Sequence, residues 1–74
     1  DLMRINGIGG EFAELLEASG VDSVLELAQR NADNLAAKMK EVNGERNLVR
    51  RVPSSKQVAA WIEQAEGMGA TVTH

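Results

Sequence analysis

The segment Ile5-Asn6-Gly7-Ile8-Gly9-Gly10, followed at once by Glu11-Phe12-Ala13-Glu14-Leu15-Leu16, constrains this chain more than any other stretch. Two glycines stand two apart with an apolar residue between them, and an amphipathic pattern begins directly afterwards. Gly7 and Gly9 admit backbone angles that cost other residues energy, so the chain can reverse here within very few residues. A reversal of this kind aims backbone N–H groups outward, and the following helix adds the unpaired N–H groups of its first turn. Together they form a site for a phosphate or another oxyanion, made from backbone alone.

The rest of the chain reads as helical. Phe12, Leu15, Leu16 and Ser19 share one face at helical spacing, with Glu11, Glu14 and Glu17 on the other, and Gly20 is a stop signal. Asp22 and Ser23 offer caps for a helix with Val24, Leu27 and Ala28 inward, and Ser23-x-x-Glu26 has the capping-box spacing. Asn31 and Asp33 offer the cap of a third helix carrying Leu35, Met39 and Val42, which Asn43-Gly44 is expected to break. Leu48, Val49 and Val52 suggest a short helical segment from about Glu45 to Pro53. Ser54-x-x-Gln57 opens the last helix, with Val58, Trp61, Ile62 and Ala65 inward and Gly67 and Gly69 as its end. Leu2 to Arg4 read as the close of a helix begun upstream. No segment shows the alternation of a strand. The expectation is a small all-α bundle of about five short helices over residues 1–69, with a flexible tail at 70–74 and Phe12, Leu16, Leu27, Leu35, Met39, Val58 and Ile62 in one core.

The 74 residues bound the possibilities further. A domain this small buries only about 60% of its unfolded surface, so its core is thin. The chain has no Cys, which excludes disulfides and thiolate metal sites and fits a reducing cytoplasm. No apolar run approaches the roughly 18 residues of a membrane helix, and no secretory signal pattern opens the chain. It starts at Asp1 rather than Met, so it reads as part of a longer protein. No nucleophile, base and orienting group recur in a catalytic arrangement: Tyr is absent, His74 is terminal, and Ser54 and Ser55 read as helix caps. The chain is therefore read as a non-enzyme.

Charge is uneven. The net charge is −3, yet residues 38–56 hold Lys38, Lys40, Arg46, Arg50, Arg51 and Lys56 against Glu41 and Glu45. Residues 1–37 hold seven acids against Arg4 and Arg30. A basic middle beside an acidic start is a polarity that a partner can read. A weak echo accompanies it: Val49-Arg50-Arg51-Val52-Pro53-Ser54 repeats the shape of Ile5 to Gly10, without the glycines, and again feeds a capped helix.

Residues 2–19 resemble a helix-hairpin-helix motif, whose core reads apolar-x-Gly-apolar-Gly, then three residues and Ala. Here it is Ile5-x-Gly7-Ile8-Gly9, Gly10-Glu11-Phe12 and Ala13. The run through Trp61-Ile62-Glu63-Gln64-Ala65 resembles a tandem arrangement, the first hairpin intact and the second degenerate. The order of elements is similar to the carboxy-terminal domain of bacterial RNA polymerase alpha subunits. The tracts Asp1-Leu2-Met3-Arg4-Ile5 and Leu48-Val49-Arg50-Arg51-Val52-Pro53-Ser54 resemble those of a bacterial domain-of-unknown-function family with repeated helix-hairpin-helix motifs, in which a related repeat commonly precedes such a segment. The resemblance implies sequence-independent binding of the DNA backbone, with Gly7, Ile8 and Gly9 at the phosphate. Carbonyls of Ile5 and Ile8 would help to hold a monovalent cation. Arg4, Arg50, Arg51 and Lys56 are the basic residues expected to assist. Glu11 places a carboxylate at the same anion site, which favours the alternative, a protein-interaction or scaffolding module that keeps the fold without DNA.

Overall fold

The structure, a computed structural model, describes residues 2–72, with side chains through residue 68. A 3₁₀ turn at Leu2–Arg4 is followed by α1 (Gly10–Ala18), α2 (Val24–Ala28), α3 (Ala32–Arg46) and α4 (Ser55–Val72). Helix α4 packs against both α2 and α3, while α1 packs on α3 and carries the 3₁₀ turn. The described residues form an all-helical bundle without strands.

Local chemistry sets the joints. Helix α1 closes in a Schellman arrangement: Gly20 N–H donates to the Glu17 carbonyl at 3.0 Å and Val21 N–H to the Leu16 carbonyl at 2.9 Å. That closure requires a left-handed residue, and Gly20 supplies it at φ 96°. Ser19 turns inward and satisfies its hydroxyl by donating to the Leu15 carbonyl at 2.8 Å. Of the two caps available to α2, the structure uses Ser23, whose Oγ accepts from Glu26 N–H at 3.2 Å. Of the two available to α3 it uses Asn31, whose Oδ1 accepts from Asp33 N–H and Asn34 N–H. Ser54 caps α4 by accepting from Gln57 N–H at 3.2 Å.

Two expected boundaries move. Helix α3 does not break at Asn43-Gly44 but runs to Arg46, and Asn47 ends it in the left-handed region at φ 55°. A glycine inside a helix costs only about 1 kcal/mol. Asn43 is more useful inside the helix, because its side chain grips both backbone groups of Val49: Oδ1 accepts from Val49 N–H at 2.9 Å and Nδ2 donates to the Val49 carbonyl at 3.0 Å. That grip, with Pro53 excluding helical geometry at the residue before it, leaves no room for the helical segment expected from Glu45. Residues 47–54 form a loop instead. Helix α4 likewise passes Gly67 and continues to Val72. Of the tail expected at 70–74, residues 73 and 74 lie outside the described residues. Among the described residues, no helix is long and apolar enough to cross a membrane.

One core unites these elements. Leu16, Leu27, Leu35, Met39, Val58 and Ile62 are buried together with Leu2, Ile5, Ile8, Leu15 and Trp61, and Phe12 packs against them half-buried. Leu16 is fully enclosed, at 0% exposure. Leu16→Ala is therefore expected to cost roughly 2–5 kcal/mol, a large share of a small domain's stability. Urea denaturation followed by circular dichroism measures it.

Candidate functional site

The glycine hairpin is a turn with a floor. Ile8 N–H donates to the Ile5 carbonyl and Ile5 N–H to the Leu2 carbonyl, both at 3.1 Å. Gly7 takes the third position of the Ile5–Ile8 turn at φ 98°, where a side chain would be strained. Space is closed to it as well: a Cβ at Gly7 would lie 2.9 Å from Trp61 Nε1. The indole is 2% exposed, and the Phe12 ring packs on it with centroids 5.3 Å apart and planes tilted by 53°. Trp61 thus touches the hairpin at Gly7 and the helix it feeds at Phe12. It is a core residue rather than an exposed stacking platform.

Gln64 clamps the same turn. Its Oε1 accepts from Asn6 N–H at 3.1 Å and its Nε2 donates to the Asn6 carbonyl at 3.3 Å. Gln64 stands three positions after Trp61, so both reach the hairpin from one side of α4. Sequence reasoning missed Gln64, because a Gln at a helical position carries no mark of a backbone partner 58 residues away.

Gly9 differs from Gly7. It is the N-cap of α1 in extended backbone, φ −96° and ψ −175°, with no side-chain cap bond and open space where a Cβ would stand. The helix ladder begins with Ala13 N–H on the Gly9 carbonyl. Its first turn therefore has no capping side chain, whereas Ser23, Asn31 and Ser54 cap the other three helices. Glu11 sits exposed in that first turn. The carbonyl of Ile5 already accepts one bond within the turn, while the side chains of Ile5 and Ile8 are buried in the core.

The basic residues fall into two groups. Arg4 is exposed at the end of the 3₁₀ turn, next to the hairpin in sequence. Arg50 and Arg51 are exposed on the 47–54 loop, and Lys56 is exposed in the first turn of α4. Trp61 and Gln64, which hold the hairpin, lie roughly 8–12 Å further along the α4 axis than Lys56, at 1.5 Å per residue. Hairpin and basic loop thus occupy different stations on one helix. Val49 is buried and Val52 half-buried, as their counterparts Ile5 and Ile8 lead one to expect. No residue of the second loop from Leu48 onward has the positive φ that Gly7 has.

The family model for a domain of unknown function, DUF4332, matches residues 1–68. The chain belongs to that family. No curated protein and no solved structure matches it. In this DUF4332 domain the matched span includes the hairpin, the basic loop and the part of α4 that carries Trp61 and Gln64.

The two glycines are expected to respond oppositely to substitution. Gly7→Val should destabilise the domain by roughly 2 kcal/mol or more, from left-handed strain and displacement of the indole. Gly9→Ser should be neutral or stabilising by up to about 1 kcal/mol, because it supplies the missing cap. Thermal melts of the two variants beside the parent decide this.

Proposed function

We propose that this domain is a helix-hairpin-helix-type module that binds nucleic-acid backbone without reading sequence, with the Ile5–Gly10 hairpin as its phosphate contact. The observation that carries the reading is the pairing of a rigid floor with an uncapped face. Trp61 and Gln64 hold the turn from behind, and no side chain caps the first turn of α1 in front. Amides fixed in this way bind an oxyanion without first being ordered, which lowers the cost of association. In this reading the amides of Gly7 and Gly9 donate to a phosphate, and Ile8 between them packs inward to hold the loop. Arg4 adds a nearby positive charge. Carbonyls of Ile5 and Ile8 would steady a monovalent cation beside the phosphate. Arg50, Arg51 and Lys56 act from the amino end of α4 by long-range attraction. The 47–54 loop is then the degenerate second hairpin, retaining the packing of Val49 and Val52 without the glycine geometry. The role is binding, with no reaction assigned.

A second reading, a protein-interaction module that keeps the fold without nucleic acid, draws on the exposed stripe Glu11, Glu14 and Glu17 on α1. In the nucleic-acid reading Glu11 is a brake, since its carboxylate competes for the amides that would hold phosphate.

Glu11→Lys is accordingly expected to strengthen binding of duplex DNA roughly two- to fivefold at low salt, with the gain shrinking as salt rises. Arg50→Ala combined with Arg51→Ala should weaken binding equally for unrelated sequences, because phosphate contacts carry no base information. Fluorescence anisotropy with labelled duplexes tests both. Absence of binding by the parent and by Glu11→Lys at low salt would overturn the nucleic-acid reading and leave the protein-interaction module as the alternative.

A further inference from the structure

The chain contains two Asn-Gly pairs, Asn6-Gly7 in the hairpin and Asn43-Gly44 in α3. Such a pair is chemically labile. The backbone nitrogen of the glycine can attack Cγ of the Asn side chain, and glycine, having no side chain of its own, obstructs that approach least. The N–Cγ bond forms, the Cγ–Nδ2 bond breaks, and ammonia leaves with the proton that the glycine N–H gives up. Water then opens the five-membered imide at either carbonyl, which yields Asp or isoaspartate and a carboxylate where an amide stood. Nothing is oxidised or reduced. Ring closure has one geometric requirement: rotation about the Asn Cα–C bond must bring the glycine nitrogen round to the side of Cβ.

Asn43 is withheld from this reaction by its surroundings. Gly44 lies inside α3, and the Asn43 carboxamide is held by both backbone groups of Val49, at 2.9 and 3.0 Å. Asn6 has neither protection, being exposed and in a turn outside any helix. Its protection lies in its backbone. Gly7 has a positive φ and Asn6 does not, so the turn is of type II. The second residue of such a turn has ψ of roughly +120°, which leaves the next nitrogen about 120° of rotation away from Cβ. Closing the ring means turning the Asn6–Gly7 peptide plane, and the Asn6 carbonyl oxygen turns with it. Gln64 Nε2 donates to that oxygen at 3.3 Å, while Gln64 Oε1 accepts from Asn6 N–H at 3.1 Å. We propose that Asn6-Gly7 is a latent modification site and that Gln64 is its guard, holding the peptide plane out of the orientation that forms the imide. Conversion adds one negative charge to the turn. As isoaspartate it also adds one main-chain carbon where Gly7 meets Trp61 with no room for a Cβ. If the hairpin is the phosphate contact proposed above, the new carboxylate repels that ligand, but the guard itself does not depend on that reading.

The test is a rate comparison at the two pairs. The parent protein, Gln64→Ala and Gln64→Glu are incubated at mildly alkaline pH in ¹⁸O-labelled water, beside parent denatured in guanidinium. Trypsin then releases Ile5–Arg30 and Glu41–Arg46, each with a single Asn, and mass spectrometry reads the ¹⁸O gained by each peptide. In the folded parent both pairs should react about tenfold or more slowly than in the denatured chain. Gln64→Ala should speed the reaction at Asn6 about five- to tenfold, the equivalent of one hydrogen bond, with Asn43 unchanged. Gln64→Glu keeps an acceptor for Asn6 N–H but loses the donor to the carbonyl, so it too should speed Asn6 alone. If Gln64→Ala loosens the whole domain, Asn43 accelerates with Asn6 and Gln64→Glu decides. Three results would overturn the proposal: reaction at Asn6 in the folded parent as fast as in the denatured chain, no acceleration at Asn6 in either variant, or equal acceleration of Asn6 and Asn43 in both.

Discussion

The contact between Trp61 and the backbone at Gly7 is the interaction on which the rest of this small domain depends. A thin core has few places to anchor a loop, and here one indole anchors the tightest one. Because Gly7 has no side chain, the turn settles onto the ring with no room for a Cβ. Because Phe12 packs on the same ring, the helix leaving the turn is aimed by the same residue. Gln64 then converts proximity into register by bonding both backbone groups of Asn6. The 3₁₀ turn and the start of α1, distant in sequence from α4, are in this way fixed to it.

A similar device recurs at the other loop with different chemistry. Where the first turn relies on glycine and an aromatic floor, residues 47–54 rely on an amide side chain that bonds the backbone of Val49 from within α3. Gln64 and Asn43 do equivalent work: each supplies one donor and one acceptor to a single residue of a loop, closing it without a metal or a disulfide. The result is two ordered loops of contrasting surface. The first leaves the start of α1 without a capping side chain, and the second carries the exposed Arg50 and Arg51.

Local signals were legible in the sequence wherever local chemistry decides the outcome. Gly7 and Gly20 stand at left-handed positions as their surroundings predict, Ser23, Asn31 and Ser54 cap as their spacing predicts, and the apolar faces of the helices meet in one core. The errors share a cause. Asn43-Gly44 reads as a break because such pairs usually turn, yet the demand of Val49 for partners keeps Asn43 helical and moves the stop to Asn47. Leu48, Val49 and Val52 have helical spacing, but a tertiary grip and Pro53 leave them as a loop. Gln64 was invisible as a site residue because its meaning lies in a distant backbone segment. The positions of Arg50, Arg51 and Lys56 relative to the hairpin also depend on packing, which no local pattern encodes.

The central claim is that the hairpin is held in advance by α4 rather than shaped by a ligand. Native-state hydrogen exchange of the isolated protein measures this at the amides of Asn6 and Ile8, one bonded to Gln64 and the other within the turn. The account predicts that both exchange only through the opening that also exposes the interior amides of α4, so their protection matches that of the amides around Trp61. Exchange of both amides at rates close to those of an unfolded chain, with α4 still protected, would contradict it.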